Sequence, residues 1–69
     1  MKLKVLVKFE GVVGYPNNSY TTIVSAEGID KFDCYQKAHQ RCMDIADEIK
    51  RDQYGLGHPN YLWLDEEWE

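Results

Sequence analysis

The chain has 69 residues, 43% of them apolar and 29% charged, with a formal net charge of −4. That length holds one domain (residues 1–69) with a thin core, and that composition belongs to a folded chain rather than a disordered one. The negative balance disfavours non-specific nucleic-acid binding, which needs lysine and arginine against phosphate, and points instead to basic partners.

Leu3, Val5, Val7 and Phe9 alternate with Lys2, Lys4, Lys8 and Glu10. Side chains on a strand point to opposite faces in turn, so the pattern predicts a half-buried strand with one wet face. Leu6 places an apolar group on that wet face. The strand is expected to continue through Gly11 to Tyr15, with a bulge or bend at Gly11 and Gly14. Pro16, Asn17, Asn18 and Ser19 carry turn chemistry, and the β-branched run from Tyr20 to about Ala26 reads as the returning strand. A four-residue loop sets Tyr15 opposite Tyr20 and Phe9 opposite Ala26. Leu3, Val5, Val7, Phe9 and Val13 then share a face with Tyr20, Val24 and Ala26.

From residue 31 to 54 the period changes. Tyr35, Ala38, Cys42, Ile45 and Ile49 step by three and four, with Ala46 beside them, which is one apolar stripe of a helix about 35 Å long. Asp30 or Asp33 caps its start, and Asp33 with Gln36 has capping-box spacing. Lys50 and Arg51 suit the negative end of the dipole, and Gly55 suits a C-terminal stop. Cys34 and Cys42 lie eight positions apart, about 12 Å along such a helix, too far for an intrachain disulfide. Reduced thiols fit a cytoplasmic setting. No signal-peptide pattern and no membrane-length apolar stretch is present. After the loop-like residues 55–60, Tyr61 to Asp65 reads as a third strand, with residues 66–69 expected to fray as an acidic tail.

The expected fold is α+β: a β-β-α-β two-layer domain, an antiparallel hairpin plus a short third strand, with one amphipathic helix on one sheet face. The first strand is the natural centre. Strand order 2-1-3 makes both pairings antiparallel and lays the terminal acids beside Lys2, Lys4 and Lys8.

Residues able to do chemistry are few. Cys34, His39, Cys42 and His58 are the soft metal ligands, yet they lack the close pairs of zinc sites, and Cys34 is expected to point away from His39 and Cys42. Cys34 lies near a helix start, but His39 is five residues on and Asp33 beside it has the wrong charge to stabilise a thiolate. The carboxylates Asp44, Asp47, Glu48, Asp65, Glu66 and Glu67 sit among other charges rather than in a desolvating pocket. No metal, no cofactor and no catalytic activity are expected.

Protein binding has positive support, because tyrosine and tryptophan are enriched at interface hot spots. Trp68 is ringed by acids, an arrangement suited to a basic groove with an apolar pocket. The candidate partner-binding residues are therefore Tyr61, Asp65, Glu66, Glu67, Trp68 and Glu69. Trp68, with Tyr61, is the expected anchor. The carboxylates supply the field, and the partner is a basic patch of a larger protein. One alternative is a self-associating subunit, a homodimer formed through the outer sheet face with Leu6 or through open sheet edges. A second is weak nucleic-acid binding by the basic sheet face; a membrane partner is not expected. From Leu3 to Ile49 the hairpin-then-helix plan is similar to small phage and antitoxin-type domains. In size, acidity and lack of motifs the whole chain resembles phage-encoded proteins that bind and inhibit host enzymes. That resemblance implies an inhibitor or modulator of a host protein, and it carries no site residue with it; the acidic, aromatic C-terminal segment itself points to occlusion of a basic, nucleic-acid-binding groove as the mode of action.

Overall fold

The structure, a computed structural model, describes residues 1–53, 57 and 59–69. Three strands and one helix follow in the order β1 (Lys2–Glu10), β2 (Ser19–Glu27), α1 (Lys31–Asp52) and β3 (Asn60–Trp68), with a short 3-10 turn at Pro16–Asn18. The strands form one sheet in the order β2-β1-β3, antiparallel throughout. This is the α+β layout expected from the sequence, with the first strand central.

The alternation in β1 decides which face is covered. Leu3, Val5, Val7 and Phe9 are fully buried, and β2 adds Val24. Above them α1 presents Cys34, Ala38, Cys42 and Ala46, all fully buried. These four small residues recur every four positions, one turn apart, so the helix backbone approaches the sheet closely. The larger Tyr35, Ile45 and Ile49 flank that line and are half-buried. Cys34 therefore does not point away, as its position beside the predicted stripe implied; it lies at the start of the row the helix buries. Both cysteines are free thiols, and burial pushes the Cys42 thiol up.

The helix starts where two aspartates act together. The Asp33 N–H donates to the Asp30 carboxylate at 2.8 Å, and the Asp33 carboxylate accepts from the Ile29 N–H at 3.1 Å. Asp30 is the cap, and Asp33 takes the reaching-back role that Gln36 would have had with Asp33 as cap. Lys37, one turn on, closes the group with an ion pair to Asp33 at 3.1 Å. The helix ends at Asp52, and the proposed stop at Gly55 lies outside the described residues.

The hairpin differs from expectation. Phe9 pairs with Tyr20, and Leu3, not Phe9, pairs with Ala26. The strand stops at Glu10 because Gly11 takes a left-handed φ of 86° that turns the chain out of the sheet. Residues 11–18 then form the connection, closed where the Gly11 and Val12 N–H groups both donate to the Asn18 carbonyl at 2.9 Å. Past this turn Val12, not Val13, enters the core, while Val13 is 54% exposed. The Val13 N–H donates to the side-chain oxygen of Gln53 at 2.7 Å, which ties the loop to the end of the helix.

Candidate functional site

The residues picked out at the end of the sequence lie on β3, an edge strand whose geometry depends on one extra residue. Tyr61 and Trp63 pair with Phe9 and Val7. Asp65, Glu66, Glu67 and Trp68 pair with Leu6, Val5, Lys4 and Leu3. Between these two blocks the register slips by one, which leaves Leu64 as the added residue of a β-bulge. Strict alternation from Trp63 would have put Asp65 and Glu67 under the helix and Trp68 on the open face. The bulge reverses this. Glu66 and Trp68 share the helix-side face with Tyr61 and Trp63, and Asp65 and Glu67 face away beside Leu6 and Lys4.

β3 also runs further than Asp65. It continues through the residues expected to fray, as far as Trp68, and the Glu69 N–H donates to the Lys2 carbonyl at 3.0 Å. The side chain of Glu69 then pairs with Lys4 at 2.8 Å. Contact with Lys4 holds the Glu69 carboxyl below the usual carboxylate range and pushes the Lys4 ammonium up, the mutual signature of a hydrogen-bonded ion pair. The terminal acids thus lie beside the N-terminal lysines as expected, with an ion pair at Lys4–Glu69 and with Glu67 opposite Lys4 in the register.

On the helix side, α1 lies over β1 and β2 and meets β3 mainly through aromatic side chains. Trp68 packs edge-on to Tyr35, with centroids 5.4 Å apart at 89°. Tyr35 also meets Trp63 at 5.9 Å, and His39 stacks on Trp63 at 4.5 Å. Tyr61 packs against Phe9 and touches Nδ1 of His39 through its hydroxyl at 3.3 Å. Glu66 sits at the end of this seam. Its carboxylate accepts from the Tyr35 hydroxyl at 2.5 Å and from Nε1 of Trp68 at 2.9 Å. The hydrogen bond from Tyr35, followed by those from Trp68 and Trp63, holds the Glu66 carboxyl below its ordinary range. The same bond pushes the Tyr35 hydroxyl up. Lys31 lies over the Trp68 ring at 5.6 Å from its centroid.

The six candidates therefore do not form one surface. Tyr61, Glu66 and Trp68 belong to the aromatic seam between α1 and β3, with Trp68 half-buried rather than projecting as an anchor. Asp65 and Glu67 lie on the open face, and Glu69 at its rim. Sequence reasoning missed Tyr35 and His39 as members of the seam. Leu6, expected on the wet face, is 37% exposed there, but the apolar residues that join it beside Asp65 and Glu67 were missed: Ile23 is 64% exposed, Leu62 43% and Leu64 49%. The polar–apolar alternation of β1 held the signal for Leu6; nothing equivalent marked Ile23 or Leu62 before the pairing was known.

Among the described residues no three histidine, cysteine, aspartate or glutamate side chains are placed to hold a metal ion, and no helix is long and apolar enough to cross a membrane. His58 lies outside the described residues. Lys2, Lys4 and Lys8 share the open face and its rim with Glu10, Glu27, Asp65, Glu67 and Glu69. Two of the lysines are paired, Lys4 with Glu69 and Lys8 with Glu10 at 3.7 Å. Comparison with family models, with curated proteins and with solved structures returns no match.

Proposed function

We propose that the protein is a non-catalytic binding domain that docks a cationic surface of a larger protein on the open face of its sheet. The observation that carries this reading is the setting of Asp65 and Glu67. Among the described residues neither has an ion-pair partner, and both pair in the sheet beside exposed Leu6 and its neighbours. Apolar residues at the centre with acids at the margin, Glu67 opposite Lys4 and Asp65 opposite Leu6, match the anatomy of a protein interface, where apolar contact supplies affinity and charge supplies orientation and rate. Tyr61 and Trp68 serve the domain itself, by holding β3 to α1. Of the cationic surfaces in a cell, grooves that take nucleic acid carry the densest positive field, so occupation of such a groove, and its inhibition, is the mode of action this face fits best. The acidic excess on the same face opposes direct nucleic-acid binding.

The test is affinity capture from a host lysate with the wild-type protein and with Asp65→Lys/Glu67→Lys, followed by identification and direct titration of the captured protein. The expected result is a basic partner whose binding weakens with salt, is lost in the double variant and is kept in Glu66→Gln. A partner held equally well by the charge-reversed protein rules out this face.

A further inference from the structure

The two edges of the sheet are built differently. The β3 edge is interrupted by the Leu64 bulge and carries Asp65, Glu66 and Glu67, features that keep another strand from pairing there. The β2 edge has no such guard. β2 pairs with β1 over nine residues without a break, and from Ser19 to Ala26 it contains no charge, no proline and no glycine. Gly11 N–H to Asn18 O and Gly28 N–H to Met1 O mark the pairs bonded to β1, so by alternation the amides of Thr21, Ile23 and Ser25 point outward. On the helix side this edge opens into a groove of about 580 Å³ between β2 and α1, lined among others by Tyr20, Val24, Arg41, Ile45, Glu48 and Asp52.

We propose that the β2 edge pairs antiparallel with β2 of a second copy of this chain, about a twofold axis at Ile23, to make a continuous six-stranded sheet. This is independent of the reading above, since both acidic β3 strands remain outermost. The axis pairs Ile23 with Ile23 of the partner, Thr21 with Ser25, Thr22 with Val24 and Tyr20 with Ala26. A large side chain meets a small one, hydroxyl meets hydroxyl, and no like charges are opposed. The outward amides fall in the hydrogen-bonded pairs of the new ladder. The helix lies over β1 and β2, so the two copies of α1 would be separated by about two strand spacings, roughly 10 Å, the distance at which helices pack.

Charge selects a second copy over another extended segment. Lys37 bonds to the Glu27 carbonyl, so α1 runs antiparallel to β2 and brings Ile45 near Ile23. A twofold axis there sets Arg41 of each copy against Glu48 and Asp52 of the other. Within one chain Arg41, Glu48 and Asp52 make no ion pair among the described residues. Glu48 and Asp52 are like charges one helical turn apart, a repulsion that an incoming guanidinium relieves.

Sedimentation over a wide concentration range tests this with four proteins. Wild type is expected to be a dimer. Ser25→Pro, which removes an outward amide that bonds to nothing within the sheet, is expected to be a monomer with unchanged circular dichroism. Arg41→Glu should raise the dimer dissociation constant roughly tenfold or more, and Arg41→Glu/Glu48→Arg should restore it. A wild type that stays monomeric at every concentration overturns the proposal, as does a dimer indifferent to Arg41→Glu. That substitution is on an exposed helical position and decides the matter alone should Ser25→Pro not fold.

Discussion

The Tyr35 hydroxyl donates to Glu66 across the gap between α1 and β3, at 2.5 Å. This bond joins the helix to the strand that the helix covers least, and it turns an acid on a crowded acidic strand into a fixed acceptor. Glu66 keeps its charge to lower pH than an ordinary glutamate. Tyr35 keeps its proton to higher pH than an ordinary tyrosine.

The seam should therefore have a pH window. A depressed carboxyl contributes stability that is present above its unfolded value and is lost as pH falls through the folded one. A raised phenol contributes stability that is present below its unfolded value and is lost as pH rises through the folded one. Tryptophan fluorescence is expected to be flat across neutral pH and to change once in acid and once in strong base. In Tyr35→Phe the acid transition should move up toward the ordinary carboxylate range. A midpoint that does not move would mean that Tyr35 does not hold Glu66.

Ala38 and Ala46 are fully buried in the row where α1 meets the sheet. Ala38→Leu is expected to cost about 1–3 kcal/mol by overpacking, measured by urea denaturation. The same change at exposed Gln36 or Gln40 should fall within about 0.5 kcal/mol of wild type.

Gly11 has φ of 86° and ends β1. Gly11→Ala should destabilise the domain by about 1–2 kcal/mol, because the left-handed region is costly for any residue with a Cβ. Gly28 presents a different obstacle, since a Cβ there would lie 2.5 Å from the Asp33 carboxylate that closes the helix cap. Gly28→Ala should therefore loosen the cap, and amide exchange at Ile29 and Asp33 should rise first.

Cys34 and Cys42 are both fully buried. A thiol reagent is expected to label them only as fast as the domain opens, so their labelling should track urea denaturation. Rapid labelling of one cysteine in native conditions would show that the helix-sheet interface opens locally at that end.

Removing Leu64 should leave the fold intact. Deletion of the extra residue of the bulge makes β3 regular while Asp65, Glu66 and Trp68 keep their partners on β1. Trp68 fluorescence is expected to stay native-like, and the straightened β3 edge should become more prone to pairing with other chains, seen as aggregation on concentration. An exposed Trp68 in this variant would show that the bulge, and not the pairing, fixes the tryptophan.

Much of this was legible in the sequence for definite reasons. The alternation from Lys2 to Phe9 and the switch to a helical period after Asp30 are long signals, and together with apolar residues on both faces of β1 they were enough to place that strand in the centre. What stayed hidden depended on single residues. Gly11 could equally have made a bulge within a longer strand, and only the pairing shows that it ends one, moving the hairpin register by several residues. The Leu64 bulge has no glycine to announce it, yet it determines which face receives Trp68. Cys34 stands one position from Tyr35, and which of two adjacent residues leads the buried row depends on how the helix is rotated on the sheet.

β1 and β3 are partners although most of the chain separates them. On the ribosome, β1 emerges before β2, α1 and β3, and its second neighbour is the last of these to arrive. Until then its β3-facing amides have no strand to pair with. Folding is expected to be completed in one late step rather than built up in stages, and to be slow for so short a chain. A nascent fragment halted before Asn60 should be a substrate for chaperones.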